Sequence, residues 1–168
     1  LHHLLKGPRQ QIRALIVTPT RELADQINEN VRGLATGTKL RSVSVYGGVR
    51  QGPQIKAIEE GAEIVIACPG RLLDLVDQKK IDLRGVEILV LDEADRMFDM
   101  GFLPSIRKII RLVPQKRQTM LFSATFPEEV EQLAKQALHN PKRISIGMVA
   151  PTETVAHALL PVPQHLKT

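Results

Sequence analysis

Short apolar runs alternate with amphipathic stretches along this chain, and each run closes on a turn or an abrupt change of polarity. Ala14 to Val17 is apolar and closes on Thr18-Pro19, and a helix-period stretch follows from about Thr20 to Leu34. Val43-Ser44-Val45 reads as a strand ending at Gly47-Gly48, and Gln51 to Glu60 as a helix. Ile64 to Ala67 is a third strand, closed by Pro69-Gly70 before a helix running to about Gln78. Ile88 to Leu91 is a fourth apolar run, and it ends in acids. Pro104 to Leu112 is helical, with proline at the start, where its missing N–H costs nothing. Thr119 to Phe122 reads as a fifth strand, and Pro127 to Leu138 as a helix whose opening glutamates suit the positive N-terminus. Ile144 to Ile146 is expected to be a sixth short strand. Strands alternating with helices imply a parallel sheet with right-handed crossovers, a doubly wound α/β domain with helices on both faces. The pattern breaks at Met148, where Pro151, Pro161 and Pro163 interrupt it. Residues 1–147 are therefore expected to form the domain and residues 148–168 a linker, with Thr154 to Val162 a further strand candidate.

Composition narrows the class. With 168 residues, 43% hydrophobic and 24% charged, the chain is the size and make-up of one ordinary globular domain. No apolar run approaches the ~20 residues that span a bilayer, and Leu4-Leu5 is followed at once by Lys6-Gly7-Pro8, unlike a signal peptide. The single cysteine, Cys68, rules out an internal disulfide and fits a reducing compartment, so a cytoplasmic location is expected. The net charge of +5 is unevenly placed: up to Ile58 there are nine Lys or Arg against three acids, and beyond it fourteen against fifteen. A basic first third points to an anionic partner, with an uneven but solvated surface as the plain alternative. Aromatic residues make up only 3% of the chain, so a nucleic acid would be held by its backbone rather than by base stacking.

The chemistry concentrates where strands end. Asp92, Glu93 and Asp95 follow the fourth run, at the carboxyl edge where parallel sheets bind ligands. One carboxylate there can hold magnesium and the next can polarise a water, although a solvated acidic turn explains a bare Asp-Glu pair equally well. Pro19-Thr20-Arg21 puts a hydroxyl and an arginine at a helix start, a ready phosphate site. Gly47-Gly48 permits close backbone approach, and Pro69-Gly70-Arg71 places an arginine on a first helical turn. Each alone more often marks only a turn. Ser123 and Thr125 end the fifth strand, within possible reach of Asp95, and by themselves read more readily as helix caps.

Taken together, Pro19-Thr20-Arg21-Glu22-Leu23, Gly47-Gly48, Pro69-Gly70-Arg71, Asp92-Glu93-Ala94-Asp95 and Ser123-Ala124-Thr125 resemble, in order and spacing, the DEAD-box family of ATP-dependent RNA helicases. The stretch Arg96 to Phe102 looks most like the bacterial RhlE-type branch. The resemblance implies a RecA-like first domain that couples ATP hydrolysis to local RNA duplex unwinding or RNP remodelling, with ATP and Mg2+ as cofactors. It implies that Asp92 holds magnesium, through water, and that Glu93 orients the attacking water. It implies that Asp95, Ser123 and Thr125 couple nucleotide state to domain closure. Pro19, Thr20, Arg21, Gly47, Gly48, Gly70 and Arg71 would lie against the RNA sugar-phosphate backbone, with 2′-hydroxyls distinguishing RNA from DNA. The implied partners are RNA and a second RecA-like domain of the same protein, with no membrane. Cys68 departs from the family, which more often has threonine there.

The family's phosphate loop, G-x-x-x-x-G-K-[ST], does not occur in the 168 residues and is expected upstream of Leu1, so the domain is expected to be incomplete at its N-terminus. Leu1 to Lys6 resembles the tail of the helix that follows that loop, and adjacent His2-His3 point to different faces and make a poor chelate. The chain alone is therefore expected neither to hydrolyse ATP nor to unwind a duplex. Loss of the loop's strand is expected to leave unpaired backbone groups in the sheet. A non-catalytic RNA- or partner-binding module is the alternative, and an unrelated ATPase leaves Thr20-Arg21, Gly47-Gly48 and Gly70-Arg71 unexplained.

Overall fold

A computed structural model of the chain describes residues 1–146. Five strands, β1 (Ala14–Val17), β2 (Ser42–Val45), β3 (Ile64–Ala67), β4 (Ile88–Leu91) and β5 (Gln118–Leu121), form one sheet in the order β2-β3-β1-β4-β5. Every neighbouring pair is parallel, with Ala14 in register with both Ile64 and Ile88. The helices are α1 (Arg21–Leu34), α2 (Gly52–Glu59), α3 (Pro69–Asp77), α4 (Ala94–Asp99), α5 (Leu103–Leu112) and α6 (Glu128–Ala137). A four-residue 3₁₀ turn, His2–Leu5, precedes β1 where the tail of a helix is expected.

Side chains alternate across a strand, so each strand feeds two cores. Leu15 and Val17 of β1, Val65 and Ala67 of β3, and Leu89 and Leu91 of β4 pack on one face beneath α2 to α6. Ala14 of β1 with Ile64 and Ile66 of β3 pack on the other, against Leu4 of the 3₁₀ turn and Ala24 of α1. The sheet is thus doubly wound, with helices on both faces. Cover on the second face is uneven. The α1 helix lies over β2 and β3. Ile88 and Val90 of β4 and Met120 of β5 are only half-buried there.

One strand expectation fails. Ile144 to Ile146 forms no strand, and Ile144 and Ile146 are 85% and 96% exposed. A strand needs another's N–H and C=O groups, and residues 144–146 do not pair with the outer edge of β5 or with any other strand. The six-residue α4 was invisible in the pattern because fewer than two turns give no periodicity to read. The expected linker at residues 148–168, including the Thr154 to Val162 candidate, lies outside the described residues. No helix among the described residues is long and apolar enough to cross a membrane.

The amino end of the sheet is fastened by charge. Arg13, 2% exposed, donates from Nε and Nη2 to both oxygens of Glu87, from Nη1 to the Leu4 carbonyl and from Nη2 to the Lys6 carbonyl. Four of its five donor bonds are thereby used, and the 3₁₀ turn is tied to β1 and to the segment entering β4. His3 joins the same carboxylate at 2.6 Å, a further contact at this end of the sheet.

Candidate functional site

Because all five strands run parallel, every strand-end motif emerges on one edge of the sheet, and the strand order sorts them. The turns after β2, β3 and β1 carry the glycines and arginines; those after β4 and β5 carry the acids and hydroxyls. The boundary falls between β1 and β4, where the Asp92 N–H donates to the Val17 carbonyl at 2.9 Å. That is the place where the winding of an open α/β sheet reverses and a ligand crevice opens.

The acidic half is tightly built. Glu93 adopts a left-handed backbone conformation, φ 49 and ψ 53, unusual outside glycine and asparagine, as the chain turns from β4 into α4. This turn keeps both carboxylates at the sheet edge. Asp92 Oδ1 accepts the Glu93 N–H at 3.0 Å, and Glu93 Oε2 accepts from Arg96 Nη1 at 3.1 Å. Burial pushes the Asp92 carboxyl above its ordinary value; the Glu93 N–H bond opposes the shift and the Glu93 charge adds to it. Asp95 closes the arrangement. Its Oδ2 accepts from the Thr125 N–H at 2.8 Å and the Thr125 hydroxyl at 3.0 Å, while its own N–H donates to Ser123 Oγ at 3.1 Å. The Ser123 hydroxyl in turn donates to the Thr125 carbonyl at 2.6 Å. Burial favours the neutral acid at Asp95, but the bonds from Thr125, Arg96 and Ser123 outweigh it and hold the carboxyl below its ordinary value. Ser123 does cap a helix, α4, but from a different segment of chain. The cap and the Asp95–Ser123–Thr125 hydrogen-bond network are one object.

The other half is backbone-rich. Thr20 is the N-cap of α1, its Oγ1 accepting the Leu23 N–H at 3.3 Å, and Pro19 behind it is buried. Arg21 is exposed and pairs with Glu22 at 2.6 Å. Gly47 and Gly48 are exposed, with Gly48 at φ +80. Gly70 lies in the first turn of α3, and Arg71 Nη1 donates to the Val49 carbonyl at 3.3 Å. A methyl group built on Gly47, Gly48 or Gly70 would meet nothing within 4 Å. Internal packing therefore does not require glycine at any of the three; at Gly48 the positive φ favours it. The arginines are less free than the sequence implies, since each already has a partner. Cys68 is half-buried at the end of β3, and burial pushes its thiol up to about 11.

A cavity of about 650 Å³ opens beside the acids, lined by Asp92, Glu93, Asp95, Arg96, Phe122 and Ser123 among others. Asp92 offers a hard carboxylate oxygen, and no group of three potential ligands occurs among the described residues. That donor set fits magnesium, which keeps most of its waters and is shared with substrate phosphates. The phosphate half of a nucleotide site is not supplied by these residues, because the lining holds one cation, Arg96, already paired with Glu93.

A parallel five-stranded sheet with acid-tipped β4, a hydroxyl clasp after β5, glycine turns after β2 and β3 and a threonine-capped helix start after β1 defines a RecA-like α/β domain. Comparison with known proteins takes this further. The model of the DEAD/DEAH box helicase family matches residues 1–133. The chain is 46% identical over 149 residues to DEAD-box ATP-dependent RNA helicase 40 of Arabidopsis thaliana, covering 89% of this chain and 14% of that protein. It is 54% identical over 134 residues to ATP-dependent RNA helicase DBP2 of Mycosarcoma maydis, covering 80% of this chain and 24% of that protein. The crystal structure of a DEAD box protein from the hyperthermophile Methanococcus jannaschii superimposes with a TM-score of 0.76 at 38% identity, covering 82% of this chain and 38% of that one. The chain belongs to the DEAD/DEAH box helicase family. It spans about a seventh to a quarter of the length of these two curated relatives.

Proposed function

We propose that this chain is the first RecA-like domain of an ATP-dependent RNA helicase, and that the protein carrying it couples ATP hydrolysis to local RNA duplex unwinding or RNP remodelling. The observation that carries this reading is the division of one sheet edge into an acid-hydroxyl half and a glycine-arginine half. Chemistry and RNA are thereby held on adjoining strand ends.

In this reading Asp92 holds magnesium through water, and Glu93, fixed by its left-handed backbone, orients the water that attacks the terminal phosphate. Magnesium bound with the triphosphate supplies charge neutralisation at the phosphates. Asp95, Ser123 and Thr125 transmit occupancy, because they bond α4 to the loop after β5 and any shift of one moves the other. Thr20, Arg21, Gly47, Gly48, Gly70 and Arg71 meet the RNA backbone, and Pro19, buried behind Thr20, shapes the turn that presents them. Empty space over the glycines supports this, since a phosphate there can approach main-chain N–H groups directly. The phosphate-binding loop comes from outside these 168 residues, and the second RecA-like domain closes over both halves, reached through residues 148–168 as a linker. By itself the chain turns over no ATP.

The test is phosphate release by the full-length protein, with and without single-stranded RNA. RNA-stimulated turnover, abolished by Glu93→Gln and not reproduced with single-stranded DNA, is expected. RNA binding with no turnover under any condition would instead make the protein a binding module.

A further inference from the structure

The sheet-edge turn at Gly47-Gly48 leaves β2, an outer strand with no neighbour on its far side among the described residues. Val45 faces inward, its carbonyl accepting the Cys68 N–H at 2.9 Å. Tyr46, one residue on, therefore turns its N–H and carbonyl outward, where no strand receives them. Gln54 does. Its Oε1 accepts the Tyr46 N–H at 3.2 Å and its Nε2 donates to the Tyr46 carbonyl at 3.1 Å, so one side-chain amide imitates the missing strand. Gln54 is 7% exposed on α2, a site of burial that glutamine rarely occupies without a full set of partners.

The rest of the loop is tied as well. The Tyr46 hydroxyl donates to Asp25 of α1 at 2.7 Å, and Arg71 of α3 donates to the Val49 carbonyl. The amides of Gln51 and Gln78 bond each other at 3.3 and 3.4 Å. Among these ties the Gln54 pair is the most buried, and it grips the residue directly before the two glycines. Gly48 at φ +80 is a free swivel in an unfolded chain, so something must fix it in the folded one.

We infer that Gln54 is a positioning residue for RNA: it holds the start of the Gly47-Gly48 loop so that its main chain is already in place when the RNA backbone arrives. The inference rests on the RNA-binding reading above and extends it to a residue that touches no ligand. A preordered loop spares the ordering cost at the moment of binding, which appears as affinity. Nothing in this arrangement involves β4 or β5, so nucleotide binding is independent of it.

The experiment measures, in the full-length protein, the affinity for a fluorescein-labelled oligouridine and separately for a fluorescent ATP analogue. Gln54→Met fills the same space without either hydrogen bond. Gln54→Glu keeps the acceptor for the Tyr46 N–H but sets a carboxylate against the Tyr46 carbonyl, and it serves if the methionine variant folds poorly. Each should weaken RNA binding about tenfold and leave nucleotide affinity within about twofold of wild type. Because both act on one loop, Gln54→Met and Gly48→Ala should combine non-additively for RNA affinity. Wild-type RNA affinity in both variants, parallel loss of RNA and nucleotide affinity, or strict additivity with Gly48→Ala would each overturn the inference. Failure of the wild-type protein to bind oligouridine would sink the RNA reading and this inference with it; normal wild-type binding with unaffected variants sinks this inference alone.

Discussion

Gly48 and Gly70 are both glycines in turns, yet a methyl group has opposite consequences at the two. Gly48 sits at φ +80, so alanine there is strained whatever the space around it. Gly70 has ordinary helical geometry in the first turn of α3 and open space where a Cβ would go. Gly70→Ala should therefore leave the fold intact or make it about 0.5 kcal/mol more stable, while weakening RNA binding. Thermal melting with an RNA titration checks both halves, and unchanged RNA affinity would mean that the space at Gly70 serves nothing. Cys68 gives a second expectation. Its thiol is pushed from 9.0 up to about 11, so the folded protein prefers the neutral form. That contribution to stability is complete below pH 9 and is lost as the pH rises toward 11. At pH 8 the folded protein holds about a hundredfold less thiolate at this position than the unfolded chain, and iodoacetamide should label it correspondingly slowly. Equal rates before and after urea would contradict the burial. At this scale the sequence exposed Asp92, Glu93, Asp95, Ser123 and Thr125, because acids and hydroxyls at strand ends stand out against apolar runs. It hid Gln54, a polar residue with no local signature, and it hid the pairing of Arg21 with Glu22 and of Arg71 with the Val49 carbonyl. The second pairing depends on which loops become neighbours, and the first on how two adjacent exposed side chains turn.

At the level of elements, β4 was legible to the residue, since four apolar positions between polar flanks admit little else. The helix ends followed their caps: Thr20 before α1 and Pro127 before α6. The helix α4 escaped because it is held less by its own periodicity than by β5's loop, through the Ser123 hydroxyl on the Asp95 N–H. Ser123→Ala should consequently cost about 1 kcal/mol, the usual value of a lost cap, even though residue 123 is outside the helix. Urea unfolding measures it, and a change below about 0.2 kcal/mol would show that water replaces the hydroxyl at no cost. Arg13 shows the same limit of sequence reading. Adjacent to an apolar strand it looks like a solvated charge, and it is instead the buried clamp joining β1, the 3₁₀ turn and Glu87. The Arg13 guanidinium, helped by His3, holds the Glu87 carboxyl down at about 2, despite the opposing effect of burial. A depressed carboxylate contributes stability that is complete above pH 4.5 and is lost as the pH falls toward 2. Glu87→Gln should lower stability at pH 7 and flatten the decline over that acid range. An acid limb identical to wild type would place the decline elsewhere.

Across the whole molecule, alternation of runs and helices implied a parallel sheet but not the strand order β2-β3-β1-β4-β5, because order depends on which way each crossover turns. That order leaves β5 at a margin where the pattern of burial is unlike an ordinary edge. Edge strands in stable proteins are blunted by charge, proline or a covering element. Here Phe122 is 54% exposed beside β5, Ile144 and Ile146 are almost fully exposed, and a cavity of about 560 Å³ lined by Gln118 to Phe122, Leu138 and Ile144 runs along the strand. On the second face Val90 and Met120 also lack full cover. Among the described residues no strand pairs with the outer edge of β5, and such an apolar margin is a template for another strand; if no segment from outside the described residues takes it, a second copy is expected to. The 168-residue polypeptide, prepared alone, should therefore self-associate in a concentration-dependent way on sedimentation. Met120→Lys, which sets a charge on the poorly covered face without touching the α4–α6 core, should shift it toward monomer. In a longer protein with a further segment paired on β5, this dependence on Met120 should be absent. A monomeric isolated chain across the accessible concentration range would mean that the β5 margin is satisfied by water and seats no further strand.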